Sequence, residues 1–258
     1  MIDTHCHIYM EHFEEDLPQV LDRAAEAGVR RILMPAINFG SLPRMDQMAH
    51  EKIRFHKMAG IHPTEINEGV STTESELSEY CSSADIVAVG ETGLDYHWSR
   101  AYKQEQQESL KLHCRVAKSV GKPVVLHNRE STGDLLDIIE QEQDGSLTGV
   151  WHCFTGSADE GRRAMDLGLY LGIGGVFTFN NAGVDEAVAR LPLKKMILET
   201  DAPYLSPEPK RGKRNEPAFV RYTAQRLAEV MNLSLNEVDR RTTENAMKLF
   251  KLQDGIYL

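Results

Sequence analysis

The chain alternates between short apolar runs and longer stretches in which apolar residues recur every three or four positions. The first run, Met1-Ile2-Asp3-Thr4-His5-Cys6-His7, alternates sides as a strand does, so His5 and His7 share a face and Cys6 turns away into packing. Leu17 to Ala27 has the spacing of an amphipathic helix, with Pro18 near its start and Gly28 just past its end. Arg31 to Pro35 reads as a second strand, residues 41 to 54 as a helical stretch, and His56 to Pro63 as a third strand ending in His62. Thr73 to Tyr80 predicts a helix capped by Thr72 or Thr73. Ile86 to Gly90 is a near-continuous apolar strand running straight into Glu91, and Arg100 to Val120 is a long helix stopped by Gly121.

The same rhythm continues to the end. Strands are predicted at Pro123–His127, Thr148–His152, Gly168–Ile173 and Met196–Glu199, the last followed at once by Asp201. Helices are predicted around Leu135–Ile139, at Ser157–Leu167, Val184–Leu191, Glu216–Met231 and Glu237–Leu249. Strand and helix alternate without a linker or low-complexity tract, which argues for a parallel sheet buried on both faces in one domain spanning 1–258. An open doubly wound sheet also accommodates such a series. Yet histidine or carboxylate closes strands one, three, four, five, six and eight, and a closed barrel brings that many strand ends to one centre. The expectation is a (β/α)8 TIM barrel with an additional C-terminal helix.

Composition narrows the partners. A formal charge of -10 argues against general electrostatic capture of nucleic acid, though not against a local basic groove or a metal site that accepts phosphate. Cys6, Cys81, Cys114 and Cys153 form no C-x-x-C pair, so they read as free thiols in a reducing compartment. No basic segment leads into an apolar run at the N-terminus, and no apolar stretch is long enough to span a bilayer. The expected location is the cytoplasm, with no membrane association.

The strand-end residues His5, His7, Glu91, His127, His152 and Asp201 offer imidazole and carboxylate donors suited to Zn²⁺, Mn²⁺ or similar ions. Any one of these histidines alone is as well explained by an ordinary hydrogen bond, and Asp201 before Ala202-Pro203 by a turn. Repetition along one rim is what favours metal. One ion that keeps an open position needs three or four protein ligands, so six candidates predict two divalent ions with Glu91 as the natural bridge. Such a pair would polarise a phosphoryl group and acidify a water, which Asp201 could orient or deprotonate. Each histidine also needs a partner for its other nitrogen, and the sequence does not name these.

An ordered series of motifs resembles the TatD family of metal-dependent deoxyribonucleases, within the amidohydrolase-like TIM barrels. It runs through Ile2-Asp3-Thr4-His5-Cys6-His7, Gly60-Ile61-His62-Pro63, Val89-Gly90-Glu91-Thr92-Gly93-Leu94-Asp95-Tyr96 and Pro123-Val124-Val125-Leu126-His127-Asn128-Arg129. It continues in His152-Cys153-Phe154-Thr155-Gly156-Ser157, Leu198-Glu199-Thr200-Asp201-Ala202-Pro203-Tyr204-Leu205 and Arg214-Asn215-Glu216-Pro217. The resemblance implies hydrolysis of DNA phosphodiester bonds, commonly as a 3′-to-5′ exonuclease on single strands, with two divalent ions (Mg²⁺, Mn²⁺ or Zn²⁺). It further implies that His5, His7 and Asp201 hold one ion, His127 and His152 the other, with Glu91 between them and Asp201 activating water. Departures at Pro35–Gly40 and at Thr64-Glu65 fall on the substrate rim rather than among the ligands.

Three further residues are candidates for substrate binding. His62 could contact a phosphate or the attacking water, or serve as a turn residue fixed by Pro63. Arg129 shares the face of His127 and suits a phosphate clamp, or a salt bridge to Asp95 or Glu130. Arg214 belongs with Lys210, Arg211 and Lys213 to a basic loop placed for DNA backbone contacts, or simply solvated, and Glu216 could cap the helix that follows. Tyr96, His97 and Trp98 could stack on a base or shield the metals, while Phe154, Phe177 and Phe179 suit packing. Competing functions are a phosphomonoesterase, or a lactonase, amidase or deaminase on the same barrel. The lack of a lysine ending strand four favours phosphoester chemistry. A metal-bound scaffold without turnover fits poorly with an open ligand position.

Overall fold

A computed structural model describes residues 1–180 and 182–253. Eight parallel strands follow one another in sheet order: β1 (Ile2–Asp3), β2 (Arg31–Met34), β3 (Arg54–Ala59), β4 (Ile86–Asp95), β5 (Val124–Arg129), β6 (Gly149–Trp151), β7 (Leu169–Ile173) and β8 (Met196–Leu198). The sheet closes on itself where Thr4 N–H donates to Leu198 O, Asp201 N–H to His5 O and His7 N–H to Ala202 O. The result is the expected (β/α)8 barrel.

The helices are α1 (Leu17–Glu26), α2 (Leu42–Met45), α3 (Pro63–Asn67), α4 (Glu74–Ser82), α5 (Lys103–Val120), α6 (Thr132–Glu142), α7 (Ala158–Asp166), α8 (Val184–Val188), α9 (Val220–Met231) and α10 (Leu235–Leu249). Local chemistry sets several ends. Thr73 caps α4 by accepting Glu76 N–H, Ser157 and Glu160 form a reciprocal capping box on α7, and Gly121 ends α5 in the left-handed conformation. Glu216 caps nothing. Its carboxylate is held by Arg23 of α1 at 2.6 Å.

Two cores follow from the alternation of side chains. Residues facing out from the strands pack with α1, α5, α6, α7 and α9. Inside the barrel, each strand contributes one apolar residue to a separate cluster: Ile2, Leu33, Met58, Ala88, Val125, Val150, Tyr170 and Ile197. The extra C-terminal helix explains itself here, because Ala246, Leu249, Phe250 and Leu252 join that inner cluster and seal the barrel floor. A closed apolar floor leaves the opposite mouth as the place for polar chemistry.

Several predicted boundaries shift. The first strand ends at Asp3, although Cys6 still bridges Ala202 and keeps the alternation that places His5 and His7 together. Of the stretch 41–54 only Leu42–Met45 is α-helical, entered from a 3-10 turn that ends at Ser41, with Pro43 suited to its first turn. The third strand stops at Ala59, and His62 instead caps α3 by accepting Thr64 N–H on Nδ1. The fourth runs past Gly90 to Asp95.

α5 supports the mouth through His113, a buried residue whose Nε2 accepts Ile61 N–H at 3.1 Å while Nδ1 donates to Ser109 O. Burial pushes its pKa from 6.5 to about 4. Between those values the unfolded chain binds a proton that the folded one refuses, so stability is lost as pH falls from about 6.5 towards 4. In urea titrations of metal-free protein, wild type should lose about 2 kcal/mol more than His113→Gln between pH 7.5 and pH 5. Equal losses would show that His113 is not held neutral.

Candidate metal centre

The strand ends converge at the mouth. β4 and β5 pair irregularly between Val89 and Thr92, and Glu91 N–H leaves the β5 ladder to donate to Ala36 O beyond the end of β2. This crossing needs a bare neighbour: a Cβ on Gly60 would lie 2.6 Å from Gly90 Cα. Glu91 thereby aims its buried carboxylate at the barrel axis. Asp201, in the left-handed region at φ 60°, turns in from just beyond β8.

Around Glu91 stand five imidazoles. His5 Nε2 is 3.1 Å from Glu91 Oε2 and 3.6 Å from Asp201 Oδ1. His7 Nε2 lies 3.6 Å from each of the same two oxygens. His152 Nε2 is 3.8 Å from both Glu91 Oε1 and Asp201 Oδ1. On the other side, His127 Nδ1 and His62 Nε2 approach Glu91 Oε1 at 3.1 and 3.5 Å. Several of these gaps are too long for good hydrogen bonds. They match the spacing of about 3.4 Å between two ligands each about 2.1 Å from a shared tetrahedral ion. The residues therefore fit a metal site by spacing as well as by donor type.

Donor atoms within 4.8 Å of one another fall into three groups: His5, His7 and Glu91; His5, His152 and Asp201; and His62, Glu91 and His127. All six predicted ligands are brought together. His152 faces both sides: it stacks on His5 at 3.5 Å and lies 3.8 Å from Asp201 Oδ1, and it lies equally close to Glu91 Oε1, the oxygen that His127 and His62 approach. His62 thus combines the turn role, as the cap of α3, with a place in the cavity against Glu91.

Electrostatics explain how such a cluster can be buried. Burial alone would raise the Glu91 and Asp201 pKa values, but the surrounding histidines outweigh it and hold both carboxylates below their usual range. Burial and His152 push His5 down, and burial pushes His62 down. Burial also opposes charge on His127 and His152, yet Asp95 and Glu91 raise the first, and Glu199 and Asp201 lift the second to about 10.

Neighbours for the other ring nitrogens of His7, His127 and His152 are now visible, whereas His5 Nδ1 is buried with no hydrogen-bond partner among the described residues. Tyr9 Oη lies 3.2 Å from His7 Nδ1 and donates to Pro35 O, Asp95 Oδ2 lies 3.0 Å from His127 Nε2, and Glu199 Oε1 lies 2.9 Å from His152 Nδ1. Gly172 makes room for Glu199, because a Cβ there would sit 2.2 Å from Glu199 Oε2. Asp3, its pKa raised by burial to about 8, accepts Thr200 N–H and Oγ1–H and so ties β1 to the turn carrying Asp201. Asp95 and Glu199 carried a signal, since each stands in the quoted motifs near a ligand. Tyr9 had none.

A cavity of about 710 Å³ opens over this centre, and His7, His62, Glu91, His127, His152 and Asp201 line it. Arg129 lines it too, but neither expected salt bridge forms: Asp95 is taken by His127 and Glu130 by His97, and Arg129 lies 5.3 Å over Trp98. Arg214 is turned elsewhere. Its guanidinium donates to Asp16 and His12 O and covers Phe13, tying the loop after β8 to the segment before α1. Lys210 lies over Phe219 and Tyr222, and Arg211 over Phe179. Tyr96 is drawn away to Asp134, while Phe154 and Phe177 are buried in the core.

Residues 2–251 match the family described as TatD related DNase. The chain belongs to the TatD family. It is 37% identical over 256 residues to the uncharacterized metal-dependent hydrolase YabD of Bacillus subtilis, covering 98% of this chain and 99% of that one. It is 31% identical to the 3′-5′ ssDNA/RNA exonuclease TatD of Edwardsiella piscicida, covering 98% and 100%. Its fold matches the crystal structure of the TatD homolog YJJV from Escherichia coli with a TM-score of 0.89, 29% identity and 98% of each chain covered. This TatD-family protein is accordingly a metal-dependent hydrolase, and among its described residues no helix is long and apolar enough to cross a membrane. Replacing Glu199 by Gln should weaken metal affinity about 10–100-fold, since the imidazole it orients loses its anionic partner. Equilibrium dialysis against Zn²⁺ or Mn²⁺ measures this, and unchanged affinity would remove Glu199 from the centre.

Proposed function

We propose that the chain hydrolyses phosphodiester bonds of DNA, releasing nucleotides from the 3′ ends of single strands. The observation that carries this reading is the convergence of His5, His7, Glu91, His127, His152 and Asp201 on one cavity, with Glu91 facing donors on both sides. The Edwardsiella relative's stated activity on single-stranded nucleic acid supports the choice of substrate. When bound, two divalent ions such as Mg²⁺, Mn²⁺ or Zn²⁺ supply Lewis acidity, polarising a phosphoryl oxygen and acidifying a water.

The protein's own residues do the rest. His5, His7 and Asp201 would hold one ion and His127 and His152 the other, with Glu91 between them, while His62, whose Nδ1 accepts Thr64 N–H, presents its Nε2–H to Glu91 and the cavity. Asp201 is the catalytic carboxylate that orients the water and accepts its proton, being within reach of the cavity and flanked by His5 and His7. Arg129 offers a planar cation to the substrate phosphate from the cavity wall. Arg214 acts as a brace for the loop after β8. Four free thiols fit work in the cytoplasm.

The test uses metal-free protein reconstituted separately with Mg²⁺, Mn²⁺ and Zn²⁺. It is offered 3′- and 5′-labelled single- and double-stranded DNA, RNA, p-nitrophenyl phosphate and a lactone. Mononucleotides should leave single-stranded DNA from its 3′ end, and Asp201→Asn should lower kcat by about 10²–10⁴-fold even at metal concentrations that saturate the variant. Turnover of the monoester or the lactone alone would overturn the reading.

A further inference from the structure

Five large hydrophobic side chains are markedly exposed among the described residues, and three of them, Trp98 (68%), Tyr204 (44%) and Leu205 (41%), stand on the rim of the metal cavity. Exposed aromatics gathered at one opening call for a ligand with flat faces. Trp98 and Tyr204 do so from different loops, after β4 and after β8.

Beyond Tyr204 lies a second cavity of about 700 Å³, within the range of small-molecule sites. Met10, Ile37 and Tyr204 line both cavities, so the two adjoin at these residues. Tyr204 is held upright at this junction. Its ring meets His7 and His12 edge-on at 6.3 and 6.0 Å, and its hydroxyl reaches Met10 Sδ at 3.6 Å. The far wall carries Arg44, whose guanidinium makes no hydrogen bond among the described residues. It has only loose approaches to Glu11 and Glu14, at 3.8 and 3.9 Å. Pairs this exposed contribute little, so a phosphate can displace them.

We propose that the second cavity is an extension subsite for single-stranded nucleic acid. Tyr204 stacks on the base next to the scissile bond and Arg44 contacts the following phosphate, while the terminal base lies on Trp98 beside Arg129. This rests on the nuclease reading above and gives the strand a direction across the two cavities. The terminal nucleotide is on the Trp98 side, and the body of the strand leaves past Tyr204. The protein's overall negative charge makes a single arginine at the exit more telling than it would be on a basic surface.

The experiment measures affinity rather than turnover. Mn²⁺-loaded protein is titrated with 5′-fluorescein-phosphoryl thymidine, a one-nucleotide probe, and with 5′-fluorescein oligothymidylates of three and six nucleotides made with phosphorothioate linkages, and followed by anisotropy. The hexamer should bind more tightly than the one-nucleotide probe. Tyr204→Ala and Arg44→Ala should each weaken hexamer binding about tenfold and shrink the hexamer-to-mononucleotide ratio. Tyr204→Phe, which keeps the ring, should restore it, and Trp98→Ala should weaken all lengths alike. A ratio unchanged in both Tyr204→Ala and Arg44→Ala, with wild type still digesting DNA, would overturn the subsite alone. Failure of wild-type protein to bind or digest any oligonucleotide would overturn the subsite and the nuclease reading together.

Discussion

A carboxylate buried at the axis of the barrel, Glu91, is the constraint to which the rest of the mouth conforms. An isolated charge there would be costly to desolvate, so the protein must surround it with compensating cations. It does so with imidazoles on both sides, none of which can all be protonated together without mutual repulsion. The cluster is thus left with lone pairs pointing at shared spaces. Divalent ions answer that need better than protons do, because one ion can satisfy several donors at once.

This arrangement also accounts for the polar groups behind the ligands. Asp95, Tyr9 and Glu199 fix the orientations of His127, His7 and His152, and Asp3 with Thr200 sets the turn that presents Asp201. Glycine at 172 and at 60 is part of the same construction, since side chains there would occupy the space used by Glu199 and by the β4 backbone. The site is built in depth, from strand ends inwards to the second layer of contacts.

Much of this was legible in the chain. The strand and helix rhythm predicted the barrel, because buried parallel strands read as apolar runs and closure collects their ends. The six ligand candidates were legible because each closes or directly follows a strand. Less legible was anything decided by contacts between distant segments. His62 looked like a rim residue because nothing local announces that its Nε2 points at Glu91. Arg214 looked like a DNA-backbone contact, a solvated charge or a partner within its own loop, because its actual partner, Asp16, lies 198 positions away. That His62 and His152, from different turns of the chain, both approach Glu91 Oε1 is a long-range contact that periodicity does not encode.

Closure of the sheet couples the opening residues of the chain to its last strand: Thr4 bonds to Leu198 across 194 positions, and the floor is sealed only by α10. A ribosome adding about 5–20 residues per second takes on the order of ten seconds or more to make that distance. Throughout that interval His5 and His7 are already made while Asp201 is not. Hydrolytic competence is therefore withheld from the nascent chain until the eighth strand and Asp201 have been made, as a property of the closed ring rather than of any segment.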